Sequence, residues 1–98
     1  MQKYKIEIKP LAEDDLETIF LFIAQDSPAN AFRWYQHLVT KIQSLETMPK
    51  RCPIAPESKD VAQEIRHFII DNYRALFTID GKTVQVLHVR GGWQERKL

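Results

Sequence analysis

Hydrophobic and polar residues alternate at the start of the chain. Tyr4, Ile6 and Ile8 lie on one side of residues 3–9, and lysines and a glutamate lie on the other. An alternation with a period of two predicts a half-buried β-strand. Pro10 ends this strand and suits the first position of a helix, and the acidic residues after it favour the positive end of a helix dipole.

The next part of the chain predicts two amphipathic helices. In both, hydrophobic residues recur at intervals of three and four, at Ala12, Leu16, Ile19, Phe20 and Ile23 and then at Ala31, Trp34, Tyr35, Leu38, Ile42 and Leu45. The Asp26-Ser27-Pro28 segment separates the helices, because serine is a good N-cap and proline fits the first helical turn. The short connection predicts an antiparallel helical hairpin, with Trp34 and Tyr35 in its core.

A proline-containing segment, residues 50–62, predicts a loop, and the chain after it is rich in Val, Ile, Phe and Tyr. Three strands are predicted there, at residues 64–70, 73–79 and 83–90. Residues 1–98 therefore predict a single α+β domain. It has an N-terminal strand and an antiparallel helical hairpin, packed on one face of an antiparallel sheet that a C-terminal three-stranded meander completes.

The Asp80-Gly81 pair predicts a two-residue hairpin turn, which pairs Ile79 with Lys82 and Phe77 with Val84. The sheet face expected against the helices carries Tyr73, Ala75, Phe77, Ile79, Val84 and Val86. The opposite face carries Arg74, Leu76, Thr78, Thr83, Gln85 and Leu87. Its mixture of apolar and polar side chains predicts an open binding groove. Only a loop of more than two residues before Tyr73 would place Arg66 beside Arg74 on this face.

Composition restricts the class of protein. With 44% hydrophobic and 28% charged residues the chain is globular, and its net charge of +1 argues against binding nucleic acid by bulk charge alone. One cysteine, Cys52, excludes an internal disulfide and a zinc site built from cysteines. No apolar run approaches the roughly 20 residues of a membrane helix, and the N-terminus lacks an apolar signal core. We therefore expect a cytoplasmic protein with no membrane partner.

Basic residues are in slight excess on the sheet side, with 6 Lys and Arg against 4 Asp and Glu from Gln63 onward. Arg66, Arg74 and Arg90 are candidate ligands for a phosphate or carboxylate, so an RNA backbone and an acidic partner segment both fit. His88 is a candidate general acid or base, although the predicted register points it towards the helices. No metal motif or phosphate loop is present, so we expect no metal and no cofactor.

Trp93, after a double glycine, allows two interpretations: it caps the core, or it is an exposed residue that contacts a partner or target.

Several segments carry a pattern that is specific in combination. They include Glu64-Ile65-Arg66, Tyr73-Arg74-Ala75-Leu76-Phe77-Thr78-Ile79 and Val84-Gln85-Val86-Leu87-His88-Val89-Arg90, together with residues 6–12, 15–19, 27–31 and 42–49. In this order and spacing they resemble the RelE/ParE superfamily of bacterial toxins from type II toxin–antitoxin modules. The resemblance covers almost the whole chain and does not name the subtype.

This resemblance implies a small α+β toxin, which an antitoxin neutralises by wrapping its surface. RelE-like members cut mRNA on the ribosome, and ParE-like members poison DNA gyrase. In RelE-like nucleases basic residues of the sheet groove stabilise the phosphate; Arg74 matches the central arginine of that pattern, and Arg66 and Arg90 match positions that are often basic. Where such nucleases often carry an ionisable side chain, this chain reads Gly91-Gly92-Trp93-Gln94, which leaves the 2′-hydroxyl without an obvious base.

The main hypothesis is therefore a growth-inhibiting, non-enzymatic, ParE-like toxin, with plasmid stabilisation as an implied role. Its expected partners are a cognate antitoxin encoded by a neighbouring gene and DNA gyrase, with Arg66, Arg74, Arg90 and Trp93 as contact residues. One alternative is a ribosome-dependent mRNA endonuclease that uses Arg66, Arg74, His88 and Arg90. Another is a toxin-derived protein-binding module without toxicity. The sequence leaves open whether the protein is a monomer or a homodimer.

Overall fold

The computed structural model describes residues 3–91. Strand β1 (Lys5–Ile8) leads into helix α1 (Pro10–Ala24) and helix α2 (Pro28–Gln43). Short 3₁₀ turns follow at Ser44–Glu46, Pro49–Arg51 and Pro56–Asp60. The chain then forms strands β2 (Arg66–Ile70), β3 (Tyr73–Asp80) and β4 (Thr83–Gly91). The predicted order of elements is confirmed.

The sheet has the strand order β1-β4-β3-β2. The C-terminal meander is antiparallel as expected, and the helical hairpin covers one face, so the α+β class is confirmed. β1, however, pairs with β4 in the parallel direction, from Lys5 opposite Thr83 to Ile8 opposite Val86, and the sheet is mixed. The relative direction of two strands from opposite ends of the chain depends on the path of the helices between them, and residue alternation carries no information about that path.

Both helices begin where the sequence predicts. Pro10 and Pro28 each occupy the start of a helix, where the missing N–H is not needed. At α2 the Ser27 hydroxyl accepts a hydrogen bond of 3.2 Å from the backbone N–H of Asn30, as an N-cap serine should. The caps therefore fix the hairpin bend between the helices at this serine.

The main hydrophobic core lies between the helical hairpin and one face of the sheet, called the helix face below. All six sheet residues predicted to face the helices lie in or against this core, so that prediction is confirmed. The helices contribute Ala12 and Leu16 from α1, and Leu38 and Ile42 from α2. Tyr35 differs from its predicted place in the hairpin core, since 42% of it is exposed.

The turn between β3 and β4 consists of Gly81 and Lys82 rather than Asp80 and Gly81. Asp80 is opposite Thr83, and Phe77 is opposite Val86 instead of Val84. Gly81 has φ +61°, a backbone conformation that glycine adopts at little cost. Because the register differs from the predicted one by two residues, every side chain keeps its face, which explains why the core prediction survived.

A β-bulge interrupts the pairing of β3 and β4 between Leu76 and Phe77, so that Leu76 lies opposite His88. The extra residue is on β4, and it shifts the alternation of side chains between the two sheet faces by one position beyond the bulge. Val89 is therefore buried in the core, and His88 lies on the face opposite to the predicted one. His88 therefore leaves the core-side face predicted for it, although its ring still contacts α1 through Asp15.

The other sheet face is covered by residues 53–65, called the strap below. Ala55 and Ile65 of the strap are buried against Leu76 and form a second, smaller core with Val61 and Leu87. Backbone hydrogen bonds from Ala55 to Ile65 and from His67 to Pro53 attach the strap beside β2. The open groove predicted on this face is therefore filled by the chain itself, and we call this side of the sheet the strap face.

Candidate functional site

Arg74, the central candidate residue, is buried under the strap. Its guanidinium donates two hydrogen bonds to the carboxylate of Glu57, from Nη1 to Oε1 at 3.1 Å and from Nη2 to Oε2 at 2.5 Å. Only 6% of Arg74 and none of Glu57 is exposed. This is the bidentate geometry in which arginine binds carboxylates and phosphates most strongly. The arginine predicted to face an open groove is thus already occupied by an internal carboxylate.

The surroundings of this ion pair are basic. Nη1 of Arg74 lies 3.1 Å from Nδ1 of His67, and because arginine can only donate, Nδ1 must accept. His67 is therefore neutral in this contact, with its proton on Nε2. Arg90 lies opposite Arg74 on β4. The hydrogen bonds from Arg74, with smaller contributions from the charges of Arg74 and Arg90, hold the pKa of Glu57 below its usual value despite burial.

Arg66 lies away from Arg74. The β2–β3 turn has two residues, Asp71 and Asn72, so Arg66 is opposite Phe77, and His67 instead shares the strap face with Arg74. Arg66 donates to the carbonyl oxygens of Cys52, at 2.6 Å, and Lys50, at 3.3 Å. Its other guanidinium nitrogen forms an ion pair with Glu64. The four predicted nuclease residues therefore do not converge on one site.

Arg66 lines a polar cleft of about 480 Å³ at the β3–β4 turn, which also contains Lys50, Glu64 and Asp80. Two cations and two carboxylates balance one another there, so the cleft favours neither anions nor cations.

His88 has a carboxylate partner that the sequence did not predict. Its Nδ1 lies 3.3 Å from Oδ2 of Asp15 on α1, and the same oxygen accepts a hydrogen bond of 2.9 Å from the backbone N–H of Val89. His88 also lines an apolar cleft with Leu11 and Leu87. A carboxylate beside one ring nitrogen orients an imidazole, but no arginine shares this cleft in the part of the chain that the structure describes.

Trp93, the remaining candidate contact residue, lies outside the described residues. Arg90 is partly buried and lies opposite Arg74 on the neighbouring strand. Of the candidate residues that the structure describes, Arg74 and Arg90 are the pair that lies directly opposite on neighbouring strands.

An exposed, largely apolar groove with aromatic side chains lies between the helices. Ile8, Leu16, Phe20, Phe32 and Tyr35 line it, with Glu13 and Glu17 at its rim, and its volume is about 470 Å³. The Phe20 ring packs edge-on against Phe32 and Tyr35, with centroid distances of 5.1 and 6.2 Å. Phe32 nevertheless remains 61% exposed. Grooves with aromatic anchors and a charged rim are typical of protein–protein interfaces.

Sequence reasoning missed this groove because the helical periodicity placed Phe20 and Tyr35, two of its three aromatic residues, in the core. One signal was available: Phe32 lies off the predicted apolar stripe of α2. Glu57 was also missed, since nothing in a loop sequence indicates which distant arginine a carboxylate will meet.

Within residues 3–91 no cluster of His, Cys, Asp and Glu is arranged to hold a metal ion. In the same part of the chain, none of the helices has the length and apolar character needed to cross a bilayer.

Residues 6–95 match the family described as the ParE toxin of the type II toxin–antitoxin system parDE. The fold is similar to that in a solved structure of a chromosomal ParDE toxin–antitoxin system from P. aeruginosa, with a TM-score of 0.74 and 20% identity over 91% of this chain and 96% of that one. It is also similar to the RelBE2 toxin–antitoxin complex from Mycobacterium tuberculosis, with a TM-score of 0.64 and 21% identity over 93% of each chain.

No curated protein matches the chain. At identities of 20% and 21% the structural likenesses show a common fold. The family match adds to this because it extends from β1 through the helical hairpin, the strap and the whole meander. The chain therefore belongs to the ParE toxin family of type II toxin–antitoxin systems.

Proposed function

We propose that this protein inhibits growth as the toxin of a type II toxin–antitoxin pair, acting by binding a protein target rather than by cutting RNA. DNA gyrase is the proposed target, as the resemblance to ParE-like toxins implies. A cognate antitoxin, encoded beside this gene, neutralises the toxin by binding its surface.

The burial of Arg74 and its pairing with Glu57 are the main support for this proposal. A nuclease of the RelE type needs a cation at the scissile phosphate together with a general base and acid. Arg74 is 6% exposed and uses both terminal nitrogens on Glu57, so an RNA phosphate would have to displace a buried carboxylate to reach it. His88, the candidate base, lines a different cleft from Arg66. These observations favour a binding mechanism over phosphodiester cleavage.

The aromatic groove is the proposed docking site of the antitoxin. Phe20, Phe32 and Tyr35 offer apolar contact area, and Glu13 and Glu17 at the rim favour basic side chains on the partner. β1 borders the groove through Ile8 and is an outer strand of the sheet. An amphipathic helix in the groove, or a strand added at β1, would bury these surfaces.

The endonuclease alternative keeps one supporting observation, the contact that orients the His88 ring against Asp15. The alternative of a non-toxic binding module relies on the same groove but requires neither a target nor a toxic effect. A gene for a short, acidic, DNA-binding protein beside this one would favour either toxin hypothesis over the binding module.

Induced expression of the protein, alone and with the neighbouring gene, tests the proposal. Growth arrest with a DNA-damage response and continuing translation, relieved by the neighbouring gene, is the expected result. Arrest with an immediate loss of translation would favour the endonuclease. Normal growth at high expression would contradict both toxin hypotheses.

A further inference from the structure

The outer edge of β2 is open where its pairing with the strap ends. Two backbone hydrogen bonds join them, from the N–H of Ala55 to Ile65 and from the N–H of His67 to Pro53. Pro53 has no N–H and ends this ladder. Alternate residues of an antiparallel strand direct their backbone groups the same way, so the N–H and C=O of Ile69 also point outward from the sheet. Neither group has a backbone partner within residues 3–91.

A cleft of about 260 Å³ lies beside this edge, between β2 and α2. Its lining residues come from both elements and from the turn after β2: His37, Lys41, Phe68, Ile69, Ile70 and Asp71. The side chain of Ile69 is 60% exposed. Exposed strand edges are usually protected by charged residues, prolines or a covering segment, because they readily pair with another chain. An exposed isoleucine on an open edge therefore indicates a surface for strand pairing.

The α2 side of this cleft is basic. Lys41 lines it, Arg33 lies two helical turns earlier on the same side of α2, and the Arg51 guanidinium lies 5.3 Å from the centre of the Phe68 ring. Asp71 is the one carboxylate among the described lining residues, and it contacts Nε2 of His37 at 3.1 Å. The cations around the cleft therefore outnumber the carboxylates, which favours an acidic ligand.

We propose that the outer edge of β2 is a docking site for an acidic, extended segment of a partner protein, which adds as a further strand beside Ile69 and places a carboxylate against Lys41. In strand addition, main-chain hydrogen bonds supply affinity, and the contacts of alternate side chains supply specificity. An apolar side chain of the segment covers Ile69 on the strap face, and the next side chain meets the cations on the α2 side. This inference does not depend on the proposed function.

Charge distinguishes this partner segment from other occupants. A second copy paired edge to edge through β2 would bring the two α2 helices and their Lys41 side chains together, and like charges repel. The aromatic groove carries Glu13 and Glu17 at its rim and borders β1, the opposite edge of the sheet. A segment that suits the β2 edge is therefore unfavourable at the groove, which indicates two separate partner surfaces.

Peptide binding to the full chain tests the inference. The probe is a capped peptide of alternating valine and glutamate, and the same peptide with glutamine in place of glutamate is its control. We expect the glutamate peptide to bind about fivefold or more tightly than the glutamine peptide at low salt, as one or two exposed ion pairs would give. In NMR titrations it should shift the amide resonance of Ile69 and slow the hydrogen exchange of that amide. Equal affinities of the two peptides would overturn the inference.

A charge reversal with a matched control locates the site. Lys41→Glu should abolish the preference for the glutamate peptide and favour a peptide of valine and lysine. Lys59→Glu changes the net charge equally at an exposed position of the strap, and it should keep the preference of wild type. The same preference in both variants would overturn the assignment to the β2 edge.

Two N-methylated peptides test strand addition without any change to the protein. One is methylated at its valines and the other at its glutamates, so only one of them loses the N–H groups that face β2. We expect one peptide to lose binding and the other to keep it. Equal affinities of the two would contradict strand pairing.

Duplex DNA tests the competing class of ligand, since exposed cations also bind phosphates. DNA that binds wild type but not Lys41→Glu, while neither peptide binds, would assign this surface to a phosphate backbone and overturn the inference.

Discussion

Asp15 on α1 accepts the backbone hydrogen bond of Val89 on β4 that a neighbouring strand would otherwise accept. Its carboxylate accepts a hydrogen bond of 2.9 Å from the Val89 backbone N–H, just beyond Val86, where the pairing of β1 with β4 ends. A backbone N–H at a strand edge must be satisfied by some acceptor, and here a helix side chain supplies it. The same carboxylate contacts His88, so one residue both docks α1 on the sheet and orients the candidate imidazole.

We expect Asp15→Ala to lower the free energy of unfolding by about 1–3 kcal/mol, because the Val89 N–H loses its acceptor at a partly buried position. Asp15→Asn keeps an acceptor oxygen and should cost less. Urea denaturation measures both variants, with the exposed neighbour Asp14→Ala as a control. Equal stabilities of Asp15→Ala and Asp14→Ala would show that the contact with Val89 contributes nothing.

The Glu57–Arg74 pair predicts a large effect of a single substitution and a small effect of a double one. Arg74→Ala leaves a carboxylate buried without its partner and should cost about 3–5 kcal/mol. The double variant Glu57→Leu/Arg74→Met replaces both charges with apolar groups and should be close to wild type or more stable. Denaturant unfolding measures the free energy of unfolding of the single and double variants. A fully stable Arg74→Ala would mean that the pair is not buried in solution.

The same pair predicts a dependence of stability on pH. The pKa of Glu57 in the folded protein lies below its usual value of 4.5, chiefly because Arg74 donates hydrogen bonds to the carboxylate. A lowered pKa adds stability at pH values above the unfolded-state pKa, and that stability is lost as the pH falls through the folded-state pKa. Wild type should therefore lose stability below pH 4.5 more steeply than Glu57→Leu/Arg74→Met. Parallel curves for the two proteins would contradict this assignment.

The aromatic groove predicts a defect in binding without a defect in folding. Phe32→Glu removes an exposed aromatic anchor and places a charge where the partner should make apolar contacts, so antitoxin affinity should fall about thirtyfold or more, as for a hot-spot residue. Stability should change little because Phe32 is 61% exposed. Ile69→Glu, at an equally exposed site on β2, is the matched control. Calorimetry on the purified pair measures both, and equal affinities would exclude the groove as the docking site.

We expect little or no mRNA cleavage after induction. Arg74 is occupied by Glu57, and His88 lies beside Asp15 in a separate cleft. Because one missing acid or base costs about 10²–10⁴-fold in rate, any cleavage should be slow. Primer extension on a translated message tests this. Strong ribosome-dependent breaks within minutes, lost in His88→Ala, would replace the binding mechanism with the endonuclease.

Local patterns in the sequence determined the elements and the main core. Ser27 and Pro28 marked the start of α2 through capping chemistry that acts within one turn. The strand alternation identified the residues of the helix face, and it did so although the turn was misplaced, because a shift of two residues preserves the face of every side chain. These features depend on neighbours in the chain, which a sequence displays directly.

Only the tertiary structure decided where the chemistry lies. The bulge opposite Leu76 moved His88 to the other face, the two-residue β2–β3 turn separated Arg66 from Arg74, and the strap brought Glu57 onto the arginine. Each outcome depends on contacts between residues that are distant in sequence and on one-residue details of register. The hydrophobic periodicity of the sequence does not reveal such details. A single inserted residue leaves that pattern almost unchanged, but it reverses the direction of every later side chain in the strand.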